Sequence, residues 1–316
     1  MKRLLAASAV VAALCAPAEA QMVSIVTTPT GSFTNSVGAA IAKVIGEHTK
    51  IHAIVQAQAL AAMPPVSAGN ADFGLANSYD ISFFATGTGD YEGQPKHANL
   101  RQVAAVTTYR VALHVRADSP IKTIAELKGK RVSSGFNAQK TIGRTITALL
   151  ANGGLTYKDV QGVLAPNVSR SAEDFIAGKT DVLFFALGSA PVKQAAATVG
   201  GLRVLPIDDS AEAMARLQKF MPGAYSMTIN PAPNIDGITT PTKVVAFDAV
   251  FFTRADVPDD VVYAVTKALH DNKKDLVATF RPMSLFDPDH MAKNIQEVPF
   301  HPGALKYYKE IGIAPK

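Results

Sequence analysis

VSIVTTPTGSFTNSVGAAIAKVIGEHTKIHAIV, residues 23–55, changes its hydrophobic period twice, and that change sets the fold class. Val23–Val26 is a short apolar run that reads as a buried strand. TTPTGSF, residues 27–33, is a loop of turn formers. Val37, Ile41, Val44 and Ile45 then recur at i, i+4, i+7 and i+8, the stripe of an amphipathic helix, with Thr34, Asn35 or Ser36 available to cap its start. Ile51–Val55 reads as a second strand.

The alternation continues outward. Leu60–Ala68 reads as a helix closed by Gly69. Phe73–Ala76 is a third strand, and Asn77-Ser78 leads into another helix. A β-α-β-α-β order implies a parallel sheet covered by helices. Leu100–Val106 and Val111–Val115 read as two further strands. Ile124–Leu127 and Arg131–Ser133 restart the pattern, a helix follows from about Lys140 to Ala151, and Val163–Ala165, Ser171–Ala177, Val182–Phe185, Pro191–Thr198 and Leu202–Leu205 carry it on. Lys243–Thr253 is a long strand, and Asp259–His270 a helix capped near Asp256. No linker, tandem repeat or low-complexity tract interrupts the chain, so two α/β units are expected.

The first twenty residues read as a cleaved leader. Lys2 and Arg3 supply a positive start, Leu4–Ala16 an apolar stretch too short to span a bilayer, and Ala18-Glu19-Ala20 a cleavage pattern. Leu14, just before Cys15, argues against lipidation. Cys15 is the single cysteine, so the expected mature chain has no disulfide and no cysteine metal site. It remains long enough for two domains, and 48% hydrophobic residues suffice for their cores. The formal charge of +5 becomes +4 when Lys2, Arg3 and Glu19 depart. That excess is spread along the chain without a Lys/Arg run, which points away from nucleic acid.

Enzymatic motifs fail on inspection. Gly178-Lys179-Thr180 resembles the end of a phosphate-binding loop, but the glycine required five residues earlier is Glu173. Gly87-Thr-Gly89-Asp-Tyr-Glu-Gly93 displaces the third glycine of a dinucleotide fingerprint. Ser119–Lys122 is an isolated Ser-x-x-Lys. The seven histidines show no ligand spacing; His97, His270 and His290 read as solvated, and His301 as part of a helix start. No catalytic residue, metal or cofactor is expected.

In open α/β sheets, ligands lie beyond the carboxyl ends of strands, near helix N-termini. Here those places carry Thr28–Asn35, Gln56–Ala59, Asn77–Tyr79, Ser134–Thr141 and Phe185–Ser189. They are rich in hydroxyls, amides and glycine, and the unpaired N–H groups of a helix start favour an anion.

Five segments carry a family resemblance. They are SAGNADFGLAN (67–77), VRADSPIKTIAELKGKRV (115–132), LRVLPID (202–208), TRADVPDDVVY (253–263) and HPGALKYY (301–308). In this order, from about Val23 to Ile313, they resemble the TAXI family of TRAP-transporter solute receptors. The resemblance implies a bilobal type II periplasmic-binding-protein fold, with parallel or mixed sheets flanked by helices and joined by hinge strands. Lobe I is then expected at 21–117 plus 240–316 and lobe II at 118–239. It also implies a periplasmic receptor that passes a small organic acid, such as glutamate or 2-oxoglutarate, to a TRAP membrane permease; the exported chain is expected to be a monomer. Three ligand-facing stretches depart from the family pattern: TPTGSFT (28–34), QAQAL (56–60) and TTYR (107–110).

The ligand is expected to bear a carboxylate. Its expected partners are Ser32, Phe33 and Thr34 on the first loop, Gln56, Asn77 and Ser78 in lobe I, and Ser134, Asn137 and Thr141 in lobe II. Arg110 falls in the family's ligand-lining run, and a guanidinium grips a carboxylate with two parallel hydrogen bonds. Tyr109 and Tyr225 are candidates for stacking or hydrogen bonding, and Phe33 and Phe185 for an apolar wall that suits an acid with a hydrophobic body. Two competing readings are an extracytoplasmic sensor that presents its ligand to a signalling partner and an enzyme on the same scaffold.

Overall fold

Strand β1 (Gln21–Thr27) buries Ile25 on one face and Val26 on the other, so it lies inside a sheet covered on both sides. The computed structural model describes residues 21–315 apart from 29, 31, 59, 60, 138 and 296. The expected leader with Cys15 therefore lies outside the described residues, as do Pro29, Gly31, Ala59, Leu60 and Ala138 of the expected loops.

Helix α1 (Phe33–His48) packs Val37, Ile41, Val44 and Ile45 on β1. Its cap is Ser32, not one of residues 34–36: the Ser32 side chain accepts from the Asn35 amide. Gly38 allows the close approach, since a Cβ there would lie 2.4 Å from Thr27 Cγ2. Then follow β2 (Ile51–Ala57), α2 (Met63–Ser67), β3 (Phe73–Asn77), α3 (Ser78–Thr86) and β4 (Leu100–Arg116). Helix α2 is shorter than its sequence suggests, because Pro64 and Pro65 lack the N–H groups that any but a first turn requires.

The chain continues through β5 (Arg131–Gly135), α4 (Lys140–Asn152), β6 (Gln161–Ala165), α5 (Val168–Ile176), β7 (Leu183–Ala186), α6 (Ala190–Val199), β8 (Leu202–Leu205), α7 (Ala211–Gln218) and β9 (Tyr225–Ile229). It ends with β10 (Thr242–Arg254), α8 (Asp259–Asp271), α9 (Lys273–Thr279) and α10 (Pro302–Glu310). Residues 100–116 form one strand where the sequence suggests two. Thr107–Arg110 interrupt the apolar pattern without interrupting the ladder, which pairs them with Phe247, Asp248 and their neighbours in β10.

Among the described residues, eight strands form one mixed sheet in the order β2-β1-β3-β10-β4-β7, with β8 on β4 and β9 on β10. Strands β5 and β6 form a separate parallel pair. Strands β4 and β10 run antiparallel through the whole length of the molecule. At one end they are buried with β1 and β3 between a core containing Phe73, Phe251, Ile41 and Tyr308 and one containing Val26, Phe84 and Phe252. At the other end they enter a core with Leu113, Val245, Leu149 and Leu217 on one face and a core with Ala112, Val204 and Val244 on the other. The result is two α/β lobes joined by the same two strands.

Candidate functional site

The carboxyl ends of β1 and β3 point to the level where β4 and β10 pass between the lobes, since Asn77 pairs with Ala249 and Ala249 with Thr107. The start of α1 is held there by local bonds. Thr28 and Ser32 share a 2.7 Å hydroxyl contact, and Asn35 Nδ2 donates to Thr27 Oγ1. Thr34 Oγ1 lies 2.8 Å from the Tyr109 hydroxyl of β4, whose pKa burial pushes up to about 12. The Tyr109 ring stacks on Phe247 at 5.2 Å and meets Phe33 at 4.9 Å, while Tyr79 packs edge-on against Phe247. A row of aromatic rings thus crosses the junction between the lobes.

The expected ligand residues divide into two groups. Successive residues of a strand face opposite sides of the sheet. Tyr109 and Phe247 share one side with Phe33 and Thr34 at the start of α1. Asn77 is the N-cap of α3 without a side-chain capping bond, its Nδ2 lying 3.4 Å from the Tyr79 hydroxyl, and Ser78 is buried in the same turn. Thr141, in the first turn of α4, approaches Asp80 of α3 at 3.5 Å.

Arg110 faces the other side. It pairs with Ala246, which pairs in turn with Tyr225, and two residues on Ala112 pairs with Phe185. Arg110, Tyr225 and Phe185 therefore share this second face. Arg110 is half-buried, and among the described residues its guanidinium has neither a hydrogen bond nor an ion pair; burial alone lowers its pKa. Asp248, on the same face, is already engaged by Tyr225 at 3.2 Å, by Thr108 at 3.4 Å and by Lys293. The main chain of Arg110 accepts from Leu187 N at 2.8 Å, which docks the β7–α6 turn beside it.

Three expected residues join neither group closely. Gln56 is exposed on the edge strand β2, Asn137 is exposed in the turn after β5, and Ser134 leans on β6, its Oγ 2.9 Å from where a Cβ on Gly162 would lie. Phe247 was not foreseen, because an aromatic within an unbroken apolar strand carries no mark in the sequence. Nor were Asp90 and Arg144, which meet between α3 and α4. Histidine 97 is packed rather than solvated, stacked on Phe84 at 4.0 Å and bonded to Ser67, whereas His301 caps α10 as expected.

Among the described residues no helix is long and apolar enough to cross a membrane, and no group of three or more His, Cys, Asp or Glu side chains is placed to hold a metal ion.

Solved structures share the architecture. A protein described as a periplasmic transporter is 14% identical, with a TM-score of 0.58 over 93% of this chain and 94% of its own. A TctC solute-binding protein from Polaromonas is 15% identical, with a TM-score of 0.54 over 93% and 99%. A periplasmic sulfonate-binding protein, SsuA, from Methylobacillus flagellatus is 15% identical, with a TM-score of 0.51 over 94% and 97%. At these identities the likeness establishes the bilobal periplasmic-binding-protein fold. Residues 25–312 match the family model described as NMT1-like, and the chain belongs to the NMT1-like family.

Proposed function

We propose that this protein is a periplasmic solute receptor that captures a small organic acid by its carboxylate and delivers it, chemically unchanged, to a TRAP-type membrane permease, as a TAXI-like member of its family. The observation that carries the reading is Arg110. A half-buried guanidinium without a carboxylate is a cation removed from water and not repaid by a partner, and buried charges are otherwise paired. An incoming carboxylate supplies that partner in the bidentate geometry that guanidinium favours. On the opposite face, by contrast, the Ser32 hydroxyl is already engaged by Thr28 and the Asn35 amide, and Thr34 and Tyr109 are bonded to each other.

Phe185 and Tyr225 on the face of Arg110 suit an acid with an apolar body. In this reading residues 21–117 with 240–316 form lobe I, residues 118–239 form lobe II, and the monomer closes around its ligand. The fold's relatives include proteins named for solute binding, which supports a receptor over an enzyme.

A thermal-shift screen of mono- and dicarboxylic acids against their amides tests this function. A cognate acid at 100 times its dissociation constant adds about 2.7 kcal/mol of stability. If no acid raises the melting temperature, or if amides do so equally, carboxylate capture is wrong.

A further inference from the structure

Two helices that start at the junction bury most of their apolar residues in different cores, bridged by Tyr79 of α3, which lies in the core of α4. Helix α3 buries Ile81, Phe84 and Ala85 with Val26 and Phe252, whereas α4 buries Ile146, Leu149 and Leu150 with Leu127 and Val132. Beside the apolar packing of Tyr79 and Phe83 against the core of α4, specific polar contacts cross between the two helices. Arg144 Nε donates to Asp90 Oδ2 at 2.6 Å and Arg144 Nη2 to Asp90 Oδ1 at 2.5 Å, a two-pronged ion pair. The guanidinium also lies 4.8 Å from the centre of the Phe83 ring. One turn away the Tyr79 hydroxyl meets Thr145 Oγ1 at 3.0 Å, with Tyr79 and Thr145 both buried.

We propose that Arg144 is a positioning residue: by clasping Asp90, in the turn that follows α3, across the lobe junction it holds α3 and α4 at the separation that defines the ligand space. The geometry favours a clasp over an ordinary surface pair. Both prongs are engaged, and side-chain exposure is only 15% for Arg144 and 26% for Asp90, so solvent and salt screen the pair weakly. An exposed single-contact pair contributes little, but a fork held against an aromatic face fixes direction as well as distance. The Phe83 ring and the Tyr79–Thr145 contact set the angle of approach, so α4 has one docked position on α3. Releasing Arg144 leaves the crossing strands and the packing of Tyr79 and Phe83 on α4 to restrain lobe spacing.

The consequence for ligand capture rests on the receptor reading above, whereas lobe spacing is measured with no ligand present. Spin labels at Lys43→Cys and Lys219→Cys, both exposed, report that spacing in a Cys15→Ser background. The parent protein is expected to give one dominant short distance. Arg144→Gln and Asp90→Asn are each expected to add a longer population while melting cooperatively. Arg144→Lys keeps the charge without the fork and is expected to fall between parent and Arg144→Gln. The exchanged pair Asp90→Arg with Arg144→Asp is expected to recover the short distance. An unchanged distribution in Arg144→Gln overturns the clasp, as does an exchanged pair that behaves like the single variants. Failure of every acid in the thermal-shift screen would leave these distances unaffected, so the two readings fail separately.

Discussion

Tyr109 and Arg110 are neighbours in β4, yet their side chains leave the sheet on opposite faces: Tyr109 stacks on Phe247 and bonds Thr34, while Arg110 shares its face with Tyr225 and has no partner among the described residues. One carboxylate cannot engage both. Calorimetric titration of the best acid from the thermal-shift screen separates them. Arg110→Ala is expected to weaken binding by about 2–5 kcal/mol, and Arg110→Lys by a measurable part of that because lysine lacks the planar fork. Tyr109→Phe is expected to change affinity by less than about tenfold, roughly 1.4 kcal/mol. If both Arg110 variants bind normally, the carboxylate belongs at the starts of α1 and α4.

Asp80 and His114 give stability opposite dependences on pH. Burial, reinforced by the Asp90 carboxylate, raises the Asp80 pKa from 3.8 to about 7. Its folded form therefore holds a proton that the unfolded chain releases. The stabilisation is full below the unfolded value and is lost as pH rises through 7. Replacing the acid with an uncharged isostere removes that term. Asp80→Asn is expected to gain stability over the parent at pH 8 and to lose the advantage on acidification. Parallel dependence of the two melting temperatures between pH 5.5 and 8 would contradict the shifted titration.

His114 is fully buried in β4, with Nδ1 3.4 Å from Leu183 O and Nε2 without a partner among the described residues. Burial lowers its pKa from 6.5 to about 4. Here the unfolded chain binds the extra proton, so stability is full above 6.5 and is lost as pH falls toward 4, by up to about 1.4 kcal/mol per pH unit. His114→Leu is expected to melt higher than the parent at pH 5, with the difference shrinking at pH 7.5. A difference that is constant with pH would mean that His114 does not titrate in this window.

Gly303, in the first turn of α10, lets that helix pack on α8. A Cβ at this position would lie 2.2 Å from Asp259 O and 3.0 Å from Tyr263 N. These are main-chain atoms and cannot swing away. Gly303→Ala is expected to cost roughly 3 kcal/mol in denaturant unfolding, the upper part of the range for overpacking. A loss below about 0.5 kcal/mol, the level of an ordinary surface change, would mean that α10 slides freely on α8.

The alternation of strands and helices from Val23 to Asn77 was legible because short apolar runs, buried on both faces in β1 and β3, alternate with the one-faced stripe of α1. The unbroken run Lys243–Thr253 was legible as a strand for the complementary reason, burial on both faces. Residues 107–110 misled, since Thr107, Thr108, Tyr109 and Arg110 read as a break between two strands. Their polarity reflects passage between two cores and not an end to pairing. Loop composition marked the turns and helix starts that follow β1, β3, β5 and β7, where helix caps and ligand sites would use the same residue types. What it could not supply was facing. Whether Arg110 shares a side with Tyr109 or with Tyr225 follows from register, and register is a property of paired strands. The Arg144–Asp90 fork was illegible for a similar reason: its members lie on elements that meet only after both lobes have formed.

Strand β10 has a bearing on how the chain acquires this shape. Phe251 pairs with Leu75 on one side and with Ala104 on the other, so β3 and β4, although consecutive strands of the chain, do not pair with each other. A growing chain that has reached Arg116 owns four strands of this lobe with a vacant slot in the middle and bare ladder edges on both sides of it. The slot is filled only by Ala249–Arg254, after the intervening lobe has emerged. Long-range pairing of this kind is slow, and open edges invite pairing with other chains. The lobe that contains the first described residues is therefore completed last: β1, β2 and β3 can pair with one another, but the facing edges of β3 and β4 stay open until the far end of the sequence arrives.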